Sequence, residues 1–348
     1  MKNTFLGLLS IAIAFVFLAL VGEALLRINH VARETLTGNT ILQFELDDVL
    51  GWVGTGNYSH AGRAVDAAGD EYDLRVTTDA AGFRAFGDPA VEVRRKILVL
   101  GDSFTHALQV SDDKTYFSIV GESLDLELFA LGVGGYGTMQ QYLMLERYLE
   151  EIQPDLVLLQ FCPNDFINNH YELELSSPRN NNGMRRPYWI DGEVVYLLPR
   201  AMPGLRHFAN AHSRLLYFIL TRLDRVMLQR RGESPEAGAD LDSPPFRESV
   251  AITGELVKKI RGRVPASVPI YAFSTMGGPA YGEQFRQIAE AAGVSYVEGV
   301  SDRLALAREN GVNIFAADGQ HWNNAGHAAV AGALTDYLSR QPALDVAP

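Results

Sequence analysis

The fold of this chain is decided by one stretch of its sequence, Ile97-Leu98-Val99-Leu100-Gly101-Asp102-Ser103-Phe104-Thr105. Four consecutive apolar residues, rich in branched side chains, predict a strand that is buried on both faces of a sheet. Gly101 ends this run, and the small polar residues Asp102 and Ser103 follow it. In an α/β sheet such a turn lies at the carboxyl end of a strand, where ligands bind. The same two residues could serve only as a helix N-cap, so this stretch alone does not establish a function.

Length and charge restrict the classes of function. The chain has 348 residues, 47% hydrophobic and 21% charged, which suits one large globular domain or one domain with additions. The net charge of −12 argues against nucleic acid as a partner, because a phosphate backbone is bound by clustered Lys and Arg. The one cysteine, Cys162, allows no intrachain disulfide and no Cys-based metal site. Metal-ligand spacings of His, Asp and Glu and phosphate-loop motifs are also missing, so we expect no metal and no cofactor.

The N-terminus predicts a membrane segment. The run from Phe5 to Gly22 carries no charge, and about 18 apolar positions are just enough to cross a bilayer as a helix. A cleaved signal peptide is the alternative, because Gly22-Glu23-Ala24 faintly resembles a small-x-small cleavage site. The glutamate in the middle and the length of the run favour an uncleaved anchor over residues 1–27. A short positive head before a long acidic domain predicts a single-pass protein of the cell inner membrane, with the domain on the periplasmic or extracellular side.

The rest of the chain divides into a lead-in and a main domain. Residues 28–95 are polar and Gly-rich, and they indicate a small β-rich lead-in. Residues 96–341 alternate between strand and helix signals, with buried-strand runs at 126–131, 156–161 and 268–273. This alternation predicts a mainly parallel sheet covered by helices on both faces, which is a three-layer α/β/α sandwich.

An excursion at about residues 168–246 interrupts the alternation. It contains a predicted hairpin over 188–196 with Asp-Gly as its turn, and a predicted helix over about 211–230. The stretch 234–245, rich in Pro, Gly and acids, indicates a mobile linker. The excursion is either a lid over the carboxyl edge of the sheet or a segment packed on one flank. The apolar stripe of its helix is more typical of core packing than of contact with a membrane surface.

Three further blocks bring polar groups to the ends of predicted strands or to the start of a helix. They are the Gly-rich turn 132–138, the block Pro163-Asn164-Asp165, and the block Asp318-Gly319-Gln320-His321-Trp322-Asn323 before the last helix. An acid three residues before a histidine lets both side chains face one way, so that the carboxylate orients the imidazole and leaves its other nitrogen free as a base. Taken alone this pattern is weak, because a surface histidine is the commoner case. Asn323 is well placed to cap the last helix.

Together with the strand-Gly-Asp-Ser turn, these blocks occur in the order found in the SGNH family of GDSL-type esterases. The chain resembles this family over about residues 95–340, and its anchor and lead-in resemble the membrane-anchored bacterial members. The resemblance implies the flavodoxin-like α/β/α fold of SGNH hydrolases and a serine esterase that needs no cofactor.

The resemblance also implies a catalytic triad. Ser103 matches the nucleophile of the family, His321 the general base, and Asp318 the residue that orients the base. These residue types fit the chemistry, because a serine hydroxyl is a poor nucleophile until a base accepts its proton.

An oxyanion hole follows from the same resemblance. The backbone N–H of Ser103, that of Gly135 and the side-chain amide of Asn164 match its donors. Such donors stabilise the negative oxygen of a tetrahedral intermediate by about 3 to 4 kcal/mol each. Gly134 and Gly137 are alternatives to Gly135, because one sequence does not fix the register of the Gly-rich turn.

Two residues depart from the pattern of the family, and three others are secondary candidates. Cys162 stands where the block before the asparagine usually has glycine, and Ala130 stands where many members have asparagine. His327 is more typical of a helix surface or of a supporting residue than of the base. His106 could line the pocket, and Asp165 is expected to support Asn164 or to help bind substrate.

The implied function is hydrolysis of a carboxylic ester through an acyl-serine intermediate. The expected substrate is an acetyl or short acyl group on an envelope carbohydrate, by analogy with the family. One alternative is an O-acyltransferase that uses the same triad on an envelope polysaccharide. The other is a catalytically silent binding module, which is disfavoured because every catalytic position is filled. The expected partners are therefore an acyl ester and a membrane, and no nucleic acid.

Overall fold

The computed structural model of the protein describes residues 2–37, 44–177, 179–199, 202–231, 242–276 and 281–344. These ranges contain one six-stranded sheet, two-stranded hairpins, and helices on both faces of the large sheet. Most of the linker predicted at 234–245 lies outside the described residues. Its last residues belong to a helix that begins at Pro244.

Strands and helices alternate through most of the chain. The strands are β1 (Phe44–Asp47), β2 (Gly51–Gly54), β3 (Ser59–Val65), β4 (Glu71–Thr77), β5 (Ala85–Phe86), β6 (Arg95–Gly101), β7 (Leu126–Gly132), β8 (Leu156–Phe161), β9 (Arg186–Ile190), β10 (Glu193–Leu197), β11 (Ile270–Ser274) and β12 (Ser295–Tyr296). The α-helices are α1 (Lys2–Thr37), α2 (Ser103–His106), α3 (Tyr116–Ser123), α4 (Thr138–Ile152), α5 (Asn164–Asn168), α6 (Tyr171–Ser176), α7 (Pro203–His212), α8 (Arg214–Arg231), α9 (Pro244–Arg263), α10 (Tyr281–Ala291), α11 (Val300–Glu309) and α12 (Asn324–Leu338). Short 3-10 helices span Asp112–Lys114 and Pro342–Leu344.

The six-stranded sheet positions the site. Its strands lie in the order β12-β11-β8-β6-β7-β5, and all neighbouring pairs are parallel except the edge pair β5–β7. The predicted mainly parallel sheet is therefore confirmed. From β6 the chain continues to β7 on one side and later to β8 on the other. The carboxyl end of β6 is thus a topological switch point, where open α/β sheets bind their ligands.

Alternate side chains of β6 belong to two different cores. Leu98 and Leu100 pack with residues of α4, α9 and α10, whereas Ile97 and Val99 pack with residues of α3, α11 and α12. All four side chains are at most 1% exposed. The strand is buried on both faces, as its apolar run predicts, and the three-layer α/β/α sandwich is confirmed.

Helix α1 contains the predicted apolar segment. Its stretch Leu9–Asn29 has 21 residues, a mean hydropathy of 2.5 and no buried share, so it is long and apolar enough for a membrane span or a signal sequence. Residues such as Leu18 and Leu25 are more than half exposed. The apolar helix is confirmed, whereas its retention and the side of the membrane stay predictions.

The lead-in braces the Gly-rich turn after β7. Trp52 is fully buried, and its indole Nε1 donates to the carbonyl of Gly134 at 3.1 Å. The hydroxyl of Tyr136 donates in return to the carbonyl of Trp52. Arg147 of α4 donates two hydrogen bonds to Asp47 of β1, at 2.7 and 2.8 Å. The lead-in therefore fixes the turn that follows β7 as well as the helix behind it.

The first part of the excursion folds as predicted. β9 and β10 form the antiparallel hairpin expected over 188–196. Its turn residues Asp191 and Gly192 both have positive φ, 51° and 84°, as a two-residue hairpin turn requires.

The second part of the excursion differs from its prediction. The single helix expected over about 211–230 is divided into α7 and α8 at Ser213, which has an extended backbone. The expectation that its apolar stripe packs in a core is also wrong. Tyr217, Phe218 and Ile219 are 41 to 44% exposed, because α8 packs on α7 and α1 and leaves its other side uncovered.

The close packing at the end of β6 can be tested with two glycine substitutions. A Cβ at Gly101 would overlap the side chains of Thr105 and Gln160, whereas a Cβ at Gly262 in α9 would meet no atom within 4 Å. Gly101→Ala should lower the free energy of unfolding in urea by about 1 to 3 kcal/mol, because the overlap forces side chains or backbone to shift. Gly262→Ala should match wild type or be more stable by up to about 1 kcal/mol. Equal stability of the two variants would contradict this packing.

Candidate active site

Ser103 lies at the point where β6 passes into α2. Asp102 is fully buried, and its carboxylate caps α2 by accepting from the N–H of Phe104 at 3.0 Å. Beneath the turn, Gln160 Oε1 accepts from the N–H of Asp102 at 3.1 Å and from the hydroxyl of Thr105 at 2.9 Å. The Asp102 carboxylate and the Gln160 side chain thus hold the turn in place, and Ser103 lies at the carboxyl end of the central strand.

A chain of hydrogen bonds joins Ser103 to the turn before α12. His321 Nε2 lies 2.9 Å from Ser103 Oγ, and His321 Nδ1 lies 2.6 Å from Asp318 Oδ2. A carboxylate accepts hydrogen bonds, so Nδ1 carries the proton in the ground state and Nε2 is free to accept the hydroxyl proton of the serine. This geometry can activate a serine for attack on a carbonyl carbon.

The environment of Asp318 keeps its carboxylate ionised. Partial burial acts to raise its pKa, but the hydrogen bonds from His321 and from the backbone N–H groups of Gln320 and His321 outweigh this and lower the pKa overall. Both backbone bonds reach Asp318 Oδ1 at 2.9 Å. A fixed negative charge beside the imidazole stabilises the imidazolium that forms when His321 takes a proton.

The turn that carries Asp318 and His321 is held by its neighbours. The carbonyl of His321 accepts from the N–H of Ala316 at 2.8 Å. Trp322 is buried and packs its ring on Phe104, with centroids 4.5 Å apart. Asn323 caps α12 as predicted, since its side chain accepts from two backbone N–H groups of the first turn at 3.0 Å.

The hydrogen bonds of the Gly-rich turn distinguish its three glycines. The N–H of Gly134 donates to His106 Nδ1 at 3.1 Å, and the N–H of Gly137 donates to Gln140 Oε1 at 3.2 Å. Among the hydrogen bonds of the described residues, none uses the N–H of Gly135. Of the three candidates, Gly135 is therefore the one whose N–H is available to a ligand.

Gly135 is locked in a conformation that suits glycine. Its φ is +80°, and a Cβ there would overlap the side chain of Asn182, which belongs to the excursion. Its carbonyl accepts from Arg186 Nη2 at 2.6 Å. Arg186 is 1% exposed, and its Nε lies 2.7 Å from the carboxylate of the fully buried Glu174. The excursion therefore holds the Gly-rich turn at Gly135, and the lead-in holds the same turn at Gly134 and Tyr136.

Asn164 opens α5 directly after β8. Its amide nitrogen donates to Asn168 Oδ1 at 2.9 Å, and Asn168 Nδ2 donates onward to the carbonyl of Asn180 at 2.8 Å. An amide nitrogen has two hydrogens, and the Asn164 side chain also interacts with the carboxylate of Asp102. The next residue, Asp165, is fully buried, and its Oδ2 accepts from Thr138 Oγ1 at 3.1 Å. Asp165 therefore supports the block and does not face the site.

The two secondary histidine candidates, His106 and His327, are buried and neutral. His106 is 1% exposed behind the Gly-rich turn, so the expectation that it lines the pocket is wrong. His327 is also 1% exposed, which corrects its expected place on a helix surface, and its Nδ1 accepts from the N–H of Tyr116 at 3.1 Å. Burial lowers the pKa of each to about 3. Neither is placed to take a proton from Ser103.

The two departures from the family pattern lie in the core. Cys162 is 7% exposed and Ala130 is fully buried, and burial raises the pKa of the Cys162 thiol well above its usual value. No cluster of three or more His, Cys, Asp or Glu side chains able to hold a metal ion occurs within the described ranges.

Sequence reasoning missed three residues that shape the site. Gln160 is fully buried in β8, and its polar side chain within the run Leu156–Phe161 was the available signal. Asn168, which orients Asn164, and Arg186, which holds Gly135, gave no comparable signal. Their positions depend on how the excursion folds back onto the sheet.

Comparison with known proteins identifies a family. The model of the GDSL-like Lipase/Acylhydrolase family matches residues 99–329, a span that includes both Ser103 and the Asp318–His321 turn. This match confirms the resemblance found in the sequence. No curated protein matches the chain.

Solved structures of three esterases or acylhydrolases are among those similar to the chain. A psychrotrophic esterase from Pseudoalteromonas sp. is 13% identical, with 71% of this chain and 97% of that chain covered and a TM-score of 0.40. A lipase/acylhydrolase from Enterococcus faecalis is 12% identical, with 70% and 94% covered and a TM-score of 0.36. A catalytic mutant of an acetylxylan esterase from Geobacillus stearothermophilus is 14% identical, with 71% and 95% covered and a TM-score of 0.38.

The two histidines at this end of the chain give a direct test of the hydrogen-bond chain. His321→Gln should lower kcat for 4-nitrophenyl acetate by about 10²- to 10⁴-fold, because an amide cannot take the proton of Ser103. His327→Gln should keep activity near that of wild type, because its amide oxygen can still accept from Tyr116. Asp318→Asn should lie between them, because the imidazole loses its orienting charge. An inactive but folded His327→Gln enzyme beside an active His321→Gln enzyme would contradict the arrangement.

Proposed function

Since the chain belongs to the GDSL-like lipase/acylhydrolase family, a family of ester-hydrolysing enzymes, we propose that it removes acetyl or short acyl groups from a carbohydrate ester through an acyl-Ser103 intermediate. The observation that carries this proposal is the continuous hydrogen-bond chain Asp318–His321–Ser103. Each of its atoms has a definite task in acyl transfer.

The first half of the reaction forms the acyl-enzyme. Ser103 Oγ attacks the carbonyl carbon of the ester while His321 Nε2 takes the hydroxyl proton. The tetrahedral intermediate collapses as the bond to the leaving alcohol breaks, and His321 gives its proton to that alcohol. In the second half a water attacks the acyl carbon, and His321 takes a proton from it. Ser103 then leaves with that proton, and the carboxylic acid is released.

The negative oxygen of both tetrahedral intermediates needs donors that are in place beforehand. We assign this role to the N–H of Ser103, the N–H of Gly135 and the amide of Asn164. Two features support the assignment: the N–H of Gly135 has no acceptor among the described residues, and Asn168 fixes the orientation of the Asn164 amide. Each donor contributes about 3 to 4 kcal/mol of transition-state stabilisation.

Water is favoured as the acyl acceptor because the site is open. The side chain of His321 is 25% exposed and that of Asp318 is 37% exposed, so solvent reaches the base. An acyltransferase has to keep water away from its acyl-enzyme so that the acyl group reaches the acceptor. The described residues do not enclose the site around Ser103 in this way.

The described surroundings of the site favour a polar ester. Gln109 Nε2 lies 3.5 Å from Asp318 Oδ2, and the exposed Asn182 lies against Gly135. Primary amides both donate to and accept from hydroxyl groups, which suits a sugar that carries the acyl group. We therefore assign an O-acyl carbohydrate of the cell envelope as the substrate class.

The proposed location of the enzyme rests on α1. An apolar, unburied helix of this length supports a single-pass anchor in the cell inner membrane. The positive charge of Lys2 before the apolar run supports a domain on the periplasmic or extracellular side.

The nucleophile and the acceptor can be tested in one set of reactions. Full-length protein in detergent should react with a fluorophosphonate probe and should release acetate from a per-O-acetylated oligosaccharide in ¹⁸O-water. One ¹⁸O atom should appear in the acetate, because water breaks the acyl-enzyme. Ser103→Ala should abolish both reactions without lowering the Tm, and Ser339→Ala, which alters an exposed hydroxyl after α12, should change neither.

Two results would contradict the proposal. Probe labelling of the Ser103→Ala protein would exclude Ser103 as the nucleophile. Transfer of the acetyl group to an added sugar acceptor, with little ¹⁸O in free acetate, would make the enzyme an acyltransferase.

A further inference from the structure

Helix α8 begins directly on the N-terminal helix. The carboxylate of Glu23 in α1 accepts from the N–H of Arg214 at 3.0 Å, from the N–H of Leu215 at 2.8 Å and from the hydroxyl of Ser213 at 3.0 Å. The first N–H groups of a helix normally find their acceptor in the residue before it. Here Ser213 accepts from the N–H of Leu216 at 3.1 Å, and the two N–H groups before it are capped by Glu23, a side chain from α1 that is distant in sequence. The start of α8 is therefore fixed to α1.

This link lies where the apolar run of α1 ends. Glu23 is the first charged residue after the run Phe5–Gly22. Arg27, one turn later, pairs with Glu23 at 2.7 Å and donates to the last carbonyl of α7 at 3.0 Å. Gly22 makes room for Leu215, whose Cδ1 would lie 3.4 Å from a Cβ at that glycine. If α1 spans a bilayer, the turn between α7 and α8 therefore lies at the boundary between hydrocarbon and water.

An apolar stripe continues along α8 from this contact. Leu215, Ile219, Leu223 and Val226 follow at intervals of four, four and three residues, which places them on one face of the helix. Ile219, Leu223 and Val226 are 43, 52 and 45% exposed. The stripe therefore starts on the anchor helix and runs on without a protein partner among the described residues.

The same hairpin is basic in an acidic protein. α8 contains five arginines and one aspartate, whereas the whole chain has a net charge of −12. The guanidinium of Arg222 lies 5.0 Å from the centroid of the Phe218 ring, so its charge lies beside the apolar stripe. On α7, Leu205 and Phe208 are 40 and 53% exposed. Exposed apolar side chains next to arginines are typical of helices that lie in a membrane interface with anionic headgroups.

We propose that α7 and α8 form a membrane-docking hairpin that binds anionic phospholipid in the leaflet on the side of the catalytic domain. The inference rests on the proposed anchor, because α1 sets the depth of the hairpin. Its apolar stripe enters the interface between headgroups and acyl chains, and the exposed Arg222 beside the stripe binds lipid phosphate. The catalytic domain is then held at the bilayer surface at a fixed orientation, which limits its substrates to esters within reach of that surface.

Three fluorescent labels separate this proposal from the anchor itself. Full-length protein in the Cys162→Ala background receives one nitrobenzoxadiazole label, at Ile219→Cys in the stripe, at Leu18→Cys in α1, or at Val93→Cys. The side chain of Val93 is 94% exposed in the loop before β6, so it serves as the aqueous control. Each protein is reconstituted in vesicles of phosphatidylcholine with phosphatidylglycerol. Quenching by lipid-borne nitroxides and by aqueous iodide is then measured.

The label at residue 219 should be quenched by lipid nitroxides and shielded from iodide, as should the label at residue 18, while the label at residue 93 shows the reverse. A lipid-exposed label at residue 18 with a water-exposed label at residue 219 would overturn the docking hairpin and leave the anchor intact. Water-exposed labels at both positions would overturn both. Shielding of residue 219 in native membranes but not in pure lipid vesicles would show a protein partner and would also overturn the proposal.

The role of charge is tested by matched arginine substitutions. Arg222→Glu should reduce lipid quenching of the label at residue 219, and Arg340→Glu, at an exposed position after α12, should not. Vesicles of pure phosphatidylcholine should also reduce this quenching relative to anionic vesicles. The binding of anionic headgroups would be overturned by equal quenching of the unsubstituted protein, Arg222→Glu and Arg340→Glu in anionic vesicles and of the unsubstituted protein in pure phosphatidylcholine.

Discussion

The hydrogen bond between His321 Nε2 and Ser103 Oγ is the contact on which the site depends, and it joins residues 218 positions apart in the chain. The parallel sheet makes this contact achievable, because β6 delivers Ser103 to a switch point at its carboxyl edge. The turn that carries His321 is then pressed onto α2, where Trp322 packs on Phe104. The packing of Trp322 on Phe104 thus holds His321 Nε2 at hydrogen-bond distance from Ser103 Oγ.

A layer of buried polar groups supports this contact from below. Gln160 accepts hydrogen bonds from both ends of the turn that holds Ser103, and burial raises the pKa of Asp102 and Asp165. Burying polar groups at such depth is costly, and the hydrogen bonds that these groups make offset part of that cost and hold the turn in place. The Gly-rich turn is held in the same way from outside, by the lead-in at Gly134 and by Arg186 at Gly135. Segments outside the alternating sheet therefore hold the backbone of the Gly-rich turn.

The sequence predicts those parts of the molecule that short, local patterns determine. The buried run before Gly101 is such a pattern, and it indicates the sheet. The triad is implied by the resemblance of four short motifs to the SGNH family, and the structure brings its three members into hydrogen-bond contact. The register of the Gly-rich turn is not local, because it depends on acceptors such as His106. The exposure of the apolar stripe of α8 is not predicted either, because the sequence of an apolar helix face is the same whether the face packs in a core or contacts a membrane.

The central claim is that Ser103 forms the acyl-enzyme, and that the Gly-rich turn and α5 stabilise the negative oxygen of the tetrahedral intermediates on either side of it. A crystal structure of the protein after reaction with a fluorophosphonate ester tests it most directly. Phosphorus should be bonded to Ser103 Oγ, and His321 Nε2 should lie within hydrogen-bond distance of that same oxygen. The phosphonyl oxygen should accept from the N–H groups of Ser103 and Gly135 and from the amide of Asn164. Phosphorus on another residue, or a phosphonyl oxygen turned away from Gly135 and Asn164, would contradict the claim.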